Sequence, residues 1–553
     1  MTKTERKRQA RSNPRRIRLH FLGATQTVTG SLHFFEYSDG QTTKRFFLDA
    51  GLNQETPSFN HQNRLPAGMK PSDVDFGIFS HTHIDHIGFF PKLCKDGFKG
   101  TVYATPATRD LTTVLLPDSG YLQEEEAKRA TRRAATKKSS QGSRSSATTS
   151  ATTAATANAA GNRSKSPSPS RFSASSSNSA SGNNANSGAT AAEAASDPRV
   201  IHPLYTEADA QKCLSQIQPV EYDTPLQIAD GIVVRFTHAS HLLGAAVVTL
   251  ELGKGSTKRR VVFTGDLGRP NMPILKDLAV VKQADYIICE GTYGNKLHQK
   301  RDRLPVLADI INRAYERAMK GDAKHGRGII VIPAFAVGRV QAVLFDLRQL
   351  MAEKRIPNIP VFVDSPMAIK ATAIHRNHTE LYNRKAAQLF ENGTDLFTTP
   401  RYAEVKEWQQ SERLDQPASE PIIVVGSSGM ASGGRIMRHL EKRVPHAQNT
   451  VVFIGYQGLG TTGRQLVTPK IQTAKIAGKS VKVRATIEHM SDYSGHADYE
   501  DIIRWFSRFD RAPKNVFLVH GDPESLEALK EHIEQRLNWN VSVPRYREVI
   551  DLE

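Results

Sequence analysis

The chain has 553 residues, 3 cysteines and a formal net charge of +18. That length allows two or three domains with sizeable cores. Cys94, Cys213 and Cys289 lie far apart and form no CxxC pair, which argues against a disulfide framework and suits a reducing cytoplasm. No apolar run approaches the ~20 residues that span a bilayer, and the basic start MTKTERKRQARSNPRRIR has no apolar centre, so neither a membrane nor export is expected. The charge is local. Residues 1–18 hold eight Lys/Arg against one acid and residues 127–192 hold ten against none, leaving +1 for everything else. A near-neutral body with two basic segments fits either loose phosphate binding by counterion release or a simple gain in solubility.

In chain order, RIRLHFLGA, KRFFLDAG, DFGIFSH and TVYAT are short β-rich runs that end in turn formers and predict strands. LLPDSGYLQEEE and HPLYTEADAQKCLSQI carry helical patterns on either side of residues 127–192, which contain no Leu, Ile or Val and only Phe172 as an aromatic. Side chains that bury nothing cannot offset the entropy of ordering a backbone, so a disordered surface insert is expected over 127–198. IVVRFTHA, AVVTLELG and RRVVFTGD resume the strands. YIICE, GIIVIPAF, PVFVD, PIIVVGSS and TVVFIGY are nearly continuous apolar runs, as in strands buried on both faces. LADIINRAYERAM and GRVQAVLFDLRQLM alternate with these as helices, which predicts a doubly wound parallel α/β unit. VKVRATIEHM and NVFLVH return to strands. The resulting plan is a basic disordered tail over 1–18, a mixed-sheet domain over 19–292, the α/β unit over 293–466, and completion of the first domain over 467–553.

Chemistry concentrates at residues 80–90, SHTHIDHIGFF, where His81, His83, Asp85 and His86 fall within six residues of a chain holding 19 histidines. Neutral imidazoles with a carboxylate are the donor set that zinc accepts. His81 and His83 share a side of an extended segment, and the turn through Asp85 and His86 can offer a second pair. Donors facing two ways suggest two adjacent metals. Asp49, His241, Asp266 and His520 also sit at strand ends; taken singly, each is a turn former or cap as readily as a ligand.

Asp49, HTHIDH, His241 and Asp266, each after a strand, resemble the successive motifs of the metallo-β-lactamase superfamily. The resemblance implies an αββα sandwich. It implies one zinc held by His81, His83 and His241, a second held by Asp85 and His86, Asp266 bridging them, and Asp49 behind a histidine ligand to fix its tautomer. Asp85 is expected to act in catalysis as well as in binding metal. His238, three residues before His241, is not needed by the pattern and reads as structural. Beyond Asp266 the chain resembles the β-CASP group of nucleases, in which an α/β domain is inserted into that sandwich. Glu290 in ICEGTYGN, His496 in DYSGHADYE and His520 in VFLVHGD match its three further motifs, and PAFAVGR, SSGMASGGR and YQGLGTTGRQL are also typical of it. Gly291 and Gly495 stand where many relatives have Ser and Ala, departures that only shrink a side chain.

By this resemblance His496 is the general acid, Glu290 holds it protonated, and His520 completes the second zinc site. A histidine at position 520 goes with RNA cleavage in this group. Ser427, Ser428, Gly429 and Gly463 lie in glycine-rich loops that can present backbone N–H groups to phosphate, and Arg435 and Arg464 can grip it bidentately. The expected protein is a cytoplasmic ribonuclease with two zinc ions, in which a metal-bound hydroxide attacks phosphorus. RNA is its partner, a membrane is not, and a homodimer is left open. The alternatives are a DNA nuclease of the repair type, a non-catalytic RNA-binding scaffold, and a small-molecule hydrolase that would leave the α/β insertion unexplained.

Overall fold

The computed structural model describes residues 15–53, 64–145, 201–299, 301–321, 325–458 and 460–553. The chain divides into two compact units, Met1–Tyr121 with Tyr205–Glu553, and Leu122–Leu204.

In the larger unit the alternating runs pair into two seven-stranded sheets. The first contains β1 (Arg16–Phe21), β2 (His33–Ser38), β3 (Thr43–Leu48), β4 (Phe76–Ile78), β5 (Thr101–Ala104), β6 (Ile217–Pro219) and β22 (Val549–Asp551), in the order β22-β1-β2-β3-β4-β5-β6. The second contains β7 (Leu226–Ala229), β8 (Ile232–His238), β9 (Ala246–Leu252), β10 (Arg259–Phe263), β11 (Tyr286–Glu290), β20 (Asn515–Val519) and β21 (Val541–Ser542), in the order β21-β20-β11-β10-β9-β8-β7. Alternate residues of each strand face the other sheet. Leu19, Phe35, Phe46 and Ile78 from the first pack with Val234, Val248, Val261 and Phe517 from the second in one buried cluster. The outer face of the first sheet is covered by the helices Phe90–Lys95 and Glu207–Cys213, and that of the second by Tyr499–Phe506 and Pro523–Leu537. The layers are therefore helix, sheet, sheet, helix.

The continuous apolar runs other than YIICE, which is β11, form the centre of a third, all-parallel sheet. It holds β12 (Ile329–Pro333), β13 (Val361–Val363), β14 (Tyr402–Glu404), β15 (Ile422–Gly426), β16 (Thr450–Ile454) and β19 (Thr486–Met490), ordered β14-β13-β15-β12-β16-β19. Helices Arg303–Ala318, Arg339–Ala352 and Pro366–Asn377 pack on one face, and Arg435–Arg443 on the other. The sheet takes its sixth strand from residues 486–490 before the chain returns to the sandwich, where β20 lies parallel to β11 and β22 antiparallel to β1. A two-stranded ribbon, β17 (Thr473–Ile476) with β18 (Lys479–Lys482), precedes that return.

Two expectations change. The basic tail expected over 1–18 ends earlier, because residues 16–18 belong to β1. Arg16 and Arg18 point outward there and bond to Asp551, with Glu36 3.7 Å from Arg18. The segment expected to be disordered from residue 127 is helical to Ser145, as the end of a helix that begins at Pro106. Extending an existing helix is far easier than starting one, and KRATRRAATKK is rich in the strong helix formers Ala, Arg and Lys. The remainder of that expected insert, and residues 1–14 of the tail, lie outside the described residues. Among the described residues no helix is long and apolar enough to cross a membrane.

Candidate metal centre

The candidate residues gather where strands of both sheets end. Asp49 follows β3, His81 follows β4, His241 lies between β8 and β9, Asp266 follows β10, Glu290 ends β11 and His520 follows β20. His83 precedes the short helix Ile84–Ile87, and that turn puts Asp85 and His86 on a different side from His81. Two of these positions and one beside a third need unusual backbone. Asp49 and His520 have φ of 57° and 52°, as does Ser240, beside His241, at 63°. Non-glycine residues adopt this region rarely, and such strain concentrates at functional sites. Gly265, with φ 52°, lets the β10 turn approach Ser80, since a Cβ there would lie 2.6 Å from the Ser80 Cβ.

The donor atoms form two sets that share one carboxylate. His81 Nε2, His83 Nδ1 and His241 Nε2 lie 3.1 to 3.4 Å from one another or from Asp266 Oδ2. His86 Nε2 is 3.2 Å from His520 Nε2 and 3.3 Å from Asp266 Oδ1, and His520 Nε2 is 3.4 Å from Asp85 Oδ2. Asp266 thus turns one oxygen to each set. Two donors at ~2.1 Å from a tetrahedral ion lie about 3.4 Å apart, so this spacing fits zinc. Asp266 Oδ1 is buried and accepts no hydrogen bond, and imidazole lone pairs facing each other repel unless a cation lies between them. The residues present fit a metal.

Each histidine that offers Nε2 has a partner for its other nitrogen. His86 Nδ1–H donates to Asp49 Oδ2 at 2.6 Å, and His81 Nδ1–H to Ser80 Oγ at 3.0 Å, whose hydroxyl donates to Asp49 at 2.9 Å. His241 Nδ1–H donates to the Gly495 carbonyl at 3.1 Å, and His520 Nδ1 is 3.2 Å from Thr292 Oγ1. These partners fix tautomer and ring orientation. Asp49 also accepts from the Ser80 N–H and the Ser31 hydroxyl, and is fully buried.

Electrostatics separate the two sets. Burial pushes His83 down to about 3, with His81 adding to the effect. Burial also holds His81 and His241 low, helped by their imidazole neighbours. Those rings stay neutral, with lone pairs available. Burial is the largest effect on His86 and His520 as well and opposes their charge, but Asp266 together with Asp49 beside one and Asp85 beside the other outweighs it, so both are raised. Burial would raise Asp266 itself, yet His520, His86 and His81 hold it well below the ordinary carboxylate range.

Beside these sets, His496 Nδ1–H donates to both oxygens of Glu290 at 3.0 and 3.1 Å. Glu290 is 1% exposed and also accepts from the Leu267 N–H at 2.6 Å, so its place is fixed. Burial lowers His496, but Glu290 and Asp266 more than compensate and raise it. The His496 side chain keeps 20% exposure, enough to be reached by a ligand. His238 stands apart, stacked on Tyr222 at 4.0 Å.

The expected phosphate loops lie at the carboxyl ends of β15 and β16, where parallel α/β sheets bind ligands. The Gln457 amide donates to Gly429 O at 3.1 Å, and a Cβ at Gly429 would meet Phe335 N at 2.9 Å, so loops following β12, β15 and β16 interlock. Within them Ser427 Oγ is 2.6 Å from Ser365 Oγ, Ser428 Oγ accepts from Ser432 N, and Gly463 N–H donates to Met430 O. Arg464 is exposed. Arg435 is not the free clamp expected of it. Its guanidinium donates to Asp364 at 2.9 Å and to the carbonyls of Val405 and Lys406, because a buried carboxylate 71 residues away requires a cation. Nor are the two glycines of the site simple shrinkages. A Cβ at Gly291 would meet Leu526 Cδ2 at 2.6 Å, and one at Gly495 would meet Arg339 Nη2 at 1.9 Å, so neighbours fill both spaces. Ser80, Thr292 and Arg339 escaped notice in the sequence. Ser80 adjoins a ligand, Thr292 lies two residues past Glu290, and Arg339 ends PAFAVGR, but none has a partner visible along the chain.

Residues 340–466 match the model of the Beta-Casp domain, and residues 480–544 that of the Zn-dependent metallo-hydrolase RNA specificity domain. Among curated proteins, Ribonuclease TTHA0252 of Thermus thermophilus is 27% identical, over 96% of this chain and 99% of its own. Transcription termination factor FttA of Methanosarcina mazei is 26% identical over 96% of this chain and 71% of its own, and the protein of that name from Methanocaldococcus jannaschii is 24% identical over 92% and 67%.

Proposed function

We propose that this chain is a two-zinc ribonuclease of the β-CASP family, on a metallo-β-lactamase fold, a reading supported by the matches of residues 340–466 and 480–544 to the Beta-Casp and RNA specificity domain models. The observation that carries the reading is the pair of donor sets sharing Asp266, with the His496–Glu290 pair beside them. The likeness to a protein named a ribonuclease over 96% of this chain supports RNA as the substrate.

His81, His83 and His241 would hold one ion, Asp85, His86 and His520 the other, and Asp266 both. Two such cations, when bound, would lower the pKa of an attacking water and stabilise the attacking and leaving oxygens. The chain's own side chains do the rest. Asp49 and Ser80 aim the imidazoles of His86 and His81. Glu290 holds the Nδ1 proton of His496, which leaves the Nε2 proton to be delivered to the departing oxygen. An alkoxide leaves poorly, so that proton transfer contributes roughly 10²–10⁴-fold. With water attacking and the 3′ oxygen departing, the products are a 5′-phosphate and a 3′-hydroxyl. The loops after β12, β15 and β16 would bound the path of the strand.

Labelled RNA and DNA of one sequence, incubated with the zinc-loaded protein, test this reading. RNA cut to 5′-phosphate ends is expected, and cleavage of DNA alone would sink it. The relatives named transcription termination factors make nascent transcripts one class of RNA to include.

A further inference from the structure

We propose that Arg339 binds a phosphate oxygen of the substrate beside the metal centre, from a seat that Gly495 opens for its guanidinium. This rests on the reading of the site as a phosphodiesterase.

Arg339 opens the helix Arg339–Ala352 after the β12 loop and is 9% exposed. Three other arginines that are mostly buried each have a carboxylate. Arg303 donates twice to Asp346, at 2.7 and 2.9 Å, Arg435 donates to Asp364, and Arg438 to Asp415. Among the described residues no carboxylate, carbonyl or hydroxyl accepts from the Arg339 guanidinium. Its electrostatic neighbours are the Tyr293 phenol, the His496 imidazole and a second guanidinium, that of Arg269, so no anion stands opposite it. Burial, with Arg269 adding to it, pushes Arg339 down to about 10, which leaves it cationic at neutral pH. A desolvated cation without a counter-charge is unfavourable, and only an anion brought from outside offsets that here.

The position says which anion. A Cβ on Gly495 would lie 1.9 Å from Arg339 Nη2, 3.0 Å from its Cζ and 3.1 Å from His241 Cε1. The guanidinium therefore occupies the space of the missing side chain. Gly495 itself accepts the outer proton of His241 and precedes His496. A cation placed between a metal-ligand histidine and the proton donor lies beside the phosphorus that both would serve. The planar fork of arginine matches two oxygens of one phosphate, which an ammonium does not.

The test is calorimetric titration of inorganic phosphate into the metal-loaded protein, for wild type, Arg339→Gln, Arg339→Lys, Gly495→Ala and the Gln/Ala double variant, each with its metal content measured. Arg339→Gln should weaken phosphate binding by about 10–100-fold at unchanged metal content. Arg339→Lys should recover only part of that loss. Gly495→Ala should weaken binding by displacing the guanidinium, a flexible end that can move. The double variant should then bind no worse than Arg339→Gln, since both changes remove one contact. Wild-type phosphate affinity in Arg339→Gln, or losses that add in the double variant, would overturn the proposal. A wild type that binds phosphate through Arg339 yet cleaves no RNA would remove the ribonuclease reading and leave this site standing. A wild type that cleaves RNA while Arg339→Gln binds phosphate normally would do the reverse.

Discussion

Asp49→Asn changes one atom behind the second donor set and should loosen a metal without unfolding the chain. Asp49 Oδ1 accepts from Ser80 N at 2.8 Å, while Oδ2 accepts from His86 Nδ1 at 2.6 Å and from the hydroxyls of Ser80 and Ser31 at 2.9 and 3.3 Å. An asparagine amide has one acceptor and must aim its NH₂ at one of those places. Aimed at Ser80 N, it sets donor against donor in a fully buried site, at about 1–3 kcal/mol. Aimed at His86, it is satisfied only if Nδ1 loses its proton to Nε2, which blocks the nitrogen that faces Asp266. Either outcome penalises the metal-bound arrangement, and loss of such a partner typically weakens metal binding by 10–100-fold, about 1.4–2.7 kcal/mol. Competition against a chromogenic chelator measures it, with circular dichroism to confirm the fold. Affinity for both metals within threefold of wild type, in a folded variant, would refute the role given to Asp49.

Four further outcomes are expected. His81→Ala and Asp266→Asn should lose metal and activity together, as mass analysis of the intact protein and an RNA cleavage assay would report. His496→Ala should keep its metals yet cleave roughly 10²–10⁴-fold more slowly; a missing metal would make His496 a ligand instead. Zinc uptake should be proton-linked. Asp266 and Asp49 raise His86 above its ordinary value, so the metal-free protein holds a proton there near neutrality; zinc must displace it, and affinity should fall as pH drops below that raised pKa. Equilibrium dialysis across pH would show this, and a flat profile would contradict it. Deleting residues 127–192 removes ten Lys/Arg and no acid and should weaken RNA binding and flatten its salt dependence, with cleavage at saturation unchanged; identical salt slopes for both proteins would eliminate a recruiting role.

The parts of the molecule legible along the chain are those whose cause is local. HTHIDH carries its donors within six residues, and the strand before it ends as its composition dictates. Four of the five continuous apolar runs lie in the parallel sheet, which meets helices on both faces, and the fifth, YIICE, is β11 of the sandwich, buried between the other sheet and a helix layer. What the chain conceals is pairing across long separations. Arg435 stands by a glycine loop and looks available until Asp364, on another strand end, is brought to 2.9 Å. Arg339 looks like an ordinary helix start until the fold sets Gly495 against it. The same glycine could be read from sequence only as something smaller than alanine, whereas in three dimensions the space it leaves is filled. Helix continuity is hidden for another reason: residues 127–145 lack any apolar signal, and their helix inherits its nucleus from Pro106 onward. Arg435 and Arg339 therefore exchange the roles their local motifs suggest. The arginine in the glycine-rich loop neutralises a buried aspartate and holds the inserted sheet together, while the arginine at the start of a buried helix is left with its charge directed to the place where a phosphate would come.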